Sequence, residues 1–220
     1  REDICTLSTE KSGDTLFVSV LRPAGNTGEQ NLFLLLHTRG IIHYARPWDN
    51  SYSTLFFDTG EFPSGVLQVL LLDAGMNPLS ERLVFCMGND LANARLITDR
   101  PNYEKRQLVN ASVNITTHDG SPRAGSLSVS VTDNQDLLPD SSVTILTSLL
   151  LTSELKGYIN NPGYYFSQND PGAMAGLDLL MMTNGWRRYD IPAVLKGNFM
   201  RMKYPPRIGM EIRGSVRSLV

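Results

Sequence analysis

Residues able to do chemistry are few and widely spaced in this chain of 220 residues. The histidines, His37, His43 and His118, stand at none of the spacings that bring two imidazoles, or an imidazole and a thiolate, onto one metal ion. His37 ends an apolar run and reads as a strand-end residue bonded to backbone. His118 sits beside Asp119 in ordinary turn chemistry. Ser121, Ser126, Ser128 and Ser130 lack the Gly-x-Ser-x-Gly elbow that lifts a nucleophile out of a sheet. No glycine loop of the phosphate-cradling kind occurs, and no two carboxylates stand out as a glycosidase pair. The residue types point to no catalytic set, no cofactor and no metal, so the chain reads as non-enzymatic.

Binding is better represented. Thr38-Arg39-Gly40, followed by Tyr44, Arg46 and Trp48, combines the arginine and aromatic side chains that anchor interfaces. It suits a peptide or a sugar, and equally a strand edge packed over its neighbour. Trp186-Arg187-Arg188-Tyr189 poses the same choice, with guanidinium groups beside an indole. Docking of a neighbouring domain is favoured there, because the motif closes a helix and leads into a linker. Tyr164, Tyr165 and Phe166 follow the turn Asn161-Pro162-Gly163. The candidate interaction surface is therefore Arg39, Tyr44, Trp48, Tyr164, Tyr165, Trp186, Arg187 and Arg188. Cys5 and Cys86 are open to two readings, a disulfide in an oxidising compartment or two buried thiols. Asn110-Ala111-Ser112 and Asn114-Ile115-Thr116 are glycosylation sequons by pattern. Their even spacing in one strand equally suits polar, outward-facing positions.

The elements that must carry these residues are mostly strands. Across residues 1–90, segments 14–21, 32–36, 41–44, 53–57, 66–72 and 80–87 are apolar or alternating and are separated by glycine and proline turns. Regular spacing of this kind predicts an antiparallel β-sandwich. The continuous run at 32–36 predicts a strand buried on both faces or central in the sandwich. The small polar stretch 88–93 marks a domain boundary. Segments 94–98, 108–116 and 125–133 then predict a second sandwich, residues 91–203, with a helical insertion at about 141–190. One helix spans 143–155, capped by Ser141 or Ser142. Another begins at Asp170-Pro171 and stops at Asn184-Gly185. Leu149, Leu150, Leu177, Leu180 and Met181 are expected to pack on a sandwich face, with Tyr164, Tyr165, Phe166 and Trp186 lining the junction. Residues 191–195 predict a short helical turn, Tyr204-Pro205-Pro206 a stiff linker, and 208–216 a further strand.

Composition sets the class. Hydrophobic residues make up 41% and charged residues 19%, as in a folded globular chain. A formal net charge of −2 leaves no basic footprint for nucleic acid. No apolar run approaches the roughly 18 residues of a membrane-spanning helix. The chain begins at Arg1 without Met and stops at Val220 within an apparent strand, so it reads as a piece of a longer protein.

Several motifs together resemble the macroglobulin-type domains. The stretch Thr98-Asp99-Arg100-Pro101-Asn102-Tyr103, the hairpin His118-Asp119-Gly120-Ser121-Pro122 and the strand Leu127-Ser128-Val129-Ser130-Val131-Thr132-Asp133 are similar to recurrent pieces of that family. His37-Thr38-Arg39-Gly40, Phe62-Pro63-Ser64-Gly65 and 77–85 are similar to an adjoining domain of the same type. The pieces 149–166 and 179–190 resemble large envelope proteins of Gram-negative bacteria, in which such modules precede a carboxypeptidase-regulatory-like domain and the plug of a TonB-dependent receptor. The resemblance covers roughly residues 30–216. It implies two immunoglobulin-like, macroglobulin-type β-sandwiches at 1–90 and 91–203, with 204–220 as linker and start of a truncated regulatory-like domain. It also implies a non-catalytic spacer and protein-interaction module in the periplasm or at the outer membrane, tied to nutrient uptake. Its partners would be further domains of the same chain, or another envelope protein or peptide. The Cys-Gly-Glu-Gln thioester motif of protease-trapping macroglobulins is absent, so covalent trapping is not implied. Protease or peptide binding without a thioester, and carbohydrate binding through Tyr44 and Trp48, are the alternative readings.

Overall fold

The computed structural model describes residues 5–23, 31–129, 131, 142–167, 170–184 and 189–199. The chain is mainly β and antiparallel. Seven strands, β1 (Thr6–Ser12), β2 (Thr15–Leu21), β3 (Phe33–Thr38), β4 (Ile41–Pro47), β5 (Thr54–Asp58), β6 (Gly65–Leu72) and β7 (Pro78–Cys86), form two sheets. One has the order β1-β2-β5 and the other β4-β3-β6-β7. Alternation explains their facing sides. Leu16 and Val18 of β2 meet Leu34 and Leu36 of β3, Leu67, Val69 and Leu71 of β6, and Val84 of β7 in one buried cluster.

Two-residue chemistry closes the β3–β4 hairpin. Arg39 (φ 52°) and Gly40 (φ 83°) both lie in the left-handed region, as a primed turn requires. The β6–β7 turn is held instead by Asp73, whose carboxylate accepts from the Asn77 N–H at 2.8 Å.

The outer side of β6 and β3 explains their unbroken apolar runs. Every residue of β6 is buried, as are all of β3 but Phe33. A helical layer covers them. It consists of α1 (Ile145–Thr147), which widens into a π turn over Ser148–Thr152, a 3-10 turn over Pro162–Phe166, α2 (Pro171–Thr183) and α3 (Ile191–Leu195). Leu150, Leu151, Leu155 and Met181 pack on Val66, Leu83 and Phe85, while Ile191 packs on Leu35, Leu70 and Leu72. The caps are local. Thr144 and Thr147 form a capping box, and the Asp170 and Asp190 carboxylates accept from Gly172 N–H and Ala193 N–H. Ser141 lies outside the described residues, and the capping side chain is Thr144 rather than Ser142.

Leu150 and Met181 are buried as expected, with Leu177 and Leu180 partly buried against the same cluster. Leu149 is not: it is 57% exposed, and Leu151 takes the inward place. The π turn, with Ser153 N–H bonded to Ser148 O, feeds an extra residue into the turn and shifts which leucines face the sheet.

Beyond Asp90, β8 (Asn93–Thr98) pairs with β9 (Ala111–Thr116). The loop joining them is knitted by Asp99, which accepts from the Tyr103 hydroxyl and from the Asn110 N–H and side-chain amide. Those bonds hold the Asp99 carboxyl below its usual range. The expected strand at 125–133 is not formed over its described residues. Only the Thr116–Pro122 bridge and the bond from Arg123 N–H to Ile115 O start a third strand beside β9. Among the described residues, 91–131 therefore give a two-stranded ribbon. Its helical neighbours in sequence pack on β6 and β7 instead. Predicted elements at 204–220 lie outside the described residues.

Candidate functional site

The polar residues that break the apolar runs converge where sheet, linker and helical layer meet. His37 is the penultimate residue of β3 and is 2% exposed. Its Nδ1 accepts the Gly40 N–H at 3.4 Å, across the hairpin turn. Burial pulls its pKa down to about 4; the Gln68 amide opposes this and the nearby His43 adds to it. Gln68 interrupts β6 opposite His37, and its amide nitrogen donates to Glu81 Oε1 of β7. A polar line thus crosses three strands beneath the helices.

Arg39 reaches back from the turn. Its Nη2 donates to Ser64 O at 2.9 Å and lies over Gly65. A Cβ on Gly65 would meet that nitrogen at 2.9 Å and Leu150 O at 3.4 Å, and its φ of 128° already excludes most side chains. Ser64 is fully buried. Its N–H donates to both Asp90 carboxylate oxygens at 3.2 and 3.1 Å, its hydroxyl donates to Asp90 Oδ1, and it accepts the Gly88 N–H at 2.9 Å. Gly88 has no room for a side chain, since a Cβ would stand 2.6 Å from Phe62 O. The linker out of the sandwich is thereby bolted to the loop before β6. Tyr189 closes the same corner, its ring 3.3 Å from where a Gly40 Cβ would be.

Ser64, His37 and Asp90 are serine-protease residue types, yet their geometry is not that of a nucleophile and its base. The Ser64 hydroxyl is committed to Asp90 and Gly88, and His37 to Gly40. The arrangement can clamp; it presents no activated oxygen.

The sequence-predicted residues scatter around this joint. Arg39 belongs to it. Tyr44 is half-buried, edge-on to Phe57 with centroids 5.0 Å apart and with Arg46 5.9 Å over its ring. Trp48 is core rather than platform, 7% exposed, with its backbone N–H on Leu32 O. Its remaining surface lines an open cavity of about 290 Å³ with Asn31, Phe33 and Asn50. Tyr165 and Phe166 do line the helix–sheet junction, Phe166 meeting Phe85 edge-on at 5.7 Å. Tyr164 meets Tyr165 edge-on and stays 41% exposed. Trp186, Arg187 and Arg188 lie outside the described residues. Asn114 shares the polar face of the β8–β9 ribbon with Arg95, its register partner, and Ser112.

Of the two readings open for the cysteines, the structure adopts thiols, not a disulfide. The strand directions explain why. Leu7 N–H bonds Ser80 Oγ and Lys11 Nζ bonds Phe85 O, so β1 and β7 run the same way along the sandwich edge. Cys5 precedes the first contact and Cys86 lies past the second. The stretch from Ser80 to Cys86 alone spans about 20 Å at strand rise, whereas a disulfide needs Cα atoms within about 7 Å. Burial pushes the Cys86 thiol up to about 11.

The residues missed in the sequence, Ser64, Gly88 and Asp90, have one indirect signal. Gln68 and His37 sit in runs that are otherwise apolar, and a buried polar group demands partners supplied by some other segment. No family model, curated protein or solved structure matches the chain.

Proposed function

We propose that the chain is a non-catalytic connector: an immunoglobulin-like, macroglobulin-type β-sandwich with a helical layer locked on one sheet. In this reading it is a spacer and interaction module within a larger envelope protein of the receptor-associated kind, in the periplasm or at the outer membrane. The seven-strand, two-sheet plan supports the immunoglobulin-like assignment. The observation that carries the connector reading is the bolt at Ser64 and Asp90. Four hydrogen bonds between a fully buried serine and the chain leaving the sandwich fix the direction of departure. A spacer needs a set exit angle, and an active site does not need one here.

The test is Asp90→Ala. It strands the buried Ser64 N–H at a cost of about 1–3 kcal/mol, while the hydroxyl keeps its bonds to Gly88. It should also uncouple β8–β9 from the sandwich, read as a larger radius of gyration in X-ray scattering and shorter rotational correlation times for the ribbon amides. Unchanged tumbling would sink the connector reading. Stoichiometric inhibition of a protease by the native chain would replace it with the protease-binding alternative. One second reading is sugar binding in the open cavity beside Trp48, in place of the exposed platform that the buried indole does not provide. Calorimetric titration with oligosaccharides tests it: binding weakened by Trp48→Phe supports that reading, and no heat rejects it.

A further inference from the structure

His37, Arg39, Gln68, Glu154 and Tyr189 line a cavity of about 20 Å³ between the β4-β3-β6-β7 sheet and the helical layer. Two N–H groups there lack acceptors. The Gly40 N–H occupies His37 Nδ1, so the proton of the neutral ring sits on Nε2, and that atom is buried without a hydrogen bond. The Gln68 amide lies close enough to push the His37 pKa upward, without reaching hydrogen-bond geometry at Nε2. Arg39 uses Nη2 on Ser64 O while its Nε is buried and unpartnered. Whatever satisfies both must accept two hydrogen bonds and fit a space just above the roughly 10–15 Å³ that one water needs. The Glu154 carboxylate, on a residue 8% exposed, repels an anion from the same space, and the two donors with the Arg39 charge repel a cation.

We propose that this cavity is a hydration site for a single ordered water. The water accepts from His37 Nε2–H and Arg39 Nε–H, and it donates to Gln68 Oε1 and the Glu154 carboxylate. The Gln68 amide nitrogen is already directed to Glu81, which leaves its oxygen as the acceptor. All four water valences are then used. The water ties β3, its hairpin turn and β6 to the segment carrying Glu154, so the helical layer is sealed onto the sheet by a polar bridge as well as by Leu150 and Met181. The site stands whatever the connector joins.

A high-resolution crystal structure of the native chain near neutral pH decides it. The expected result is a solvent peak within roughly 3.2 Å of both His37 Nε2 and Arg39 Nε. A peak-free cavity with Gln68 Oε1 directly on His37 Nε2 overturns the site. In solution, the His37 ring N–H should show a cross-peak to long-lived water that vanishes in His37→Phe. A cross-peak confined to Gln68 protons counts against the proposal.

Discussion

The sandwich and the β8–β9 ribbon use the same alternating code and come out differently. In β3 and β6 both faces are covered, one by the opposing sheet and the other by Leu150, Leu151, Met181 and Ile191. In the ribbon, Ala94, Leu96, Val113 and Ile115 share one face by register, yet Leu96 remains 58% exposed. What separates the two regions is the layer laid over the strands more than the strands themselves. A lone two-stranded sheet is marginal in water, whereas one covered on both faces carries the stability of the whole.

That contrast can be broken first in the core. Leu70→Ala should cost about 2–5 kcal/mol, because Leu70 is fully buried beneath the helical layer. Leu96→Ala should cost well under about 1 kcal/mol. Urea unfolding of the two variants measures the gap, and equal losses would mean the ribbon is packed after all. Native-state hydrogen exchange sharpens it, with β6 amides exchanging orders of magnitude more slowly than those of β8.

In the covered region acid should act through His37. The folded pKa of His37, about 4, lies below the ordinary 6.5. The unfolded chain therefore binds the proton first. Stability from the neutral ring is present above pH 6.5 and is lost as pH falls toward 4, by about 3 kcal/mol at the limit. Carboxylates titrate in the same range, so the measurement is the difference between native protein and His37→Gln, whose stability should fall less between pH 7 and pH 4. Parallel curves would refute it.

Gly65→Ala comes next, at about 2 kcal/mol, because the added methyl meets the Arg39 guanidinium in a left-handed backbone. Smallest is Asp178→Ala. The Arg82–Asp178 bridge, 2.8 Å long with Asp178 56% exposed, should contribute no more than about 1 kcal/mol and less in high salt.

Much of the sandwich was legible because apolar alternation and turn residues agree, as at Asp73 to Asn77. The run at 32–36 also announced a strand that is central or covered on both faces. What covers the sheet was legible in part: Leu150, Leu177, Leu180 and Met181 were expected on a sandwich face, but not which sheet would receive them. α2 carries Met174, Leu177, Leu179, Leu180, Met181 and Met182 on more than one side, so periodicity alone does not choose the buried face. Leu149 was misplaced for a related reason: a π turn leaves no mark in the residue types. The alternation at 125–133 assigns faces, yet over its described residues no strand forms, since alternation does not supply a partner strand. The bolt stayed hidden because Ser64 and Asp90 are ordinary turn residues until the fold brings them together.

The two thiols have a practical consequence. Because Cys5 and Cys86 are sealed at opposite ends of the sandwich, a thiol reagent acts as a pair of independent clocks. The labelling rate at each sulfur times the breathing of its own end, and whether the clocks agree tells whether the sandwich opens as one body or unzips from one side.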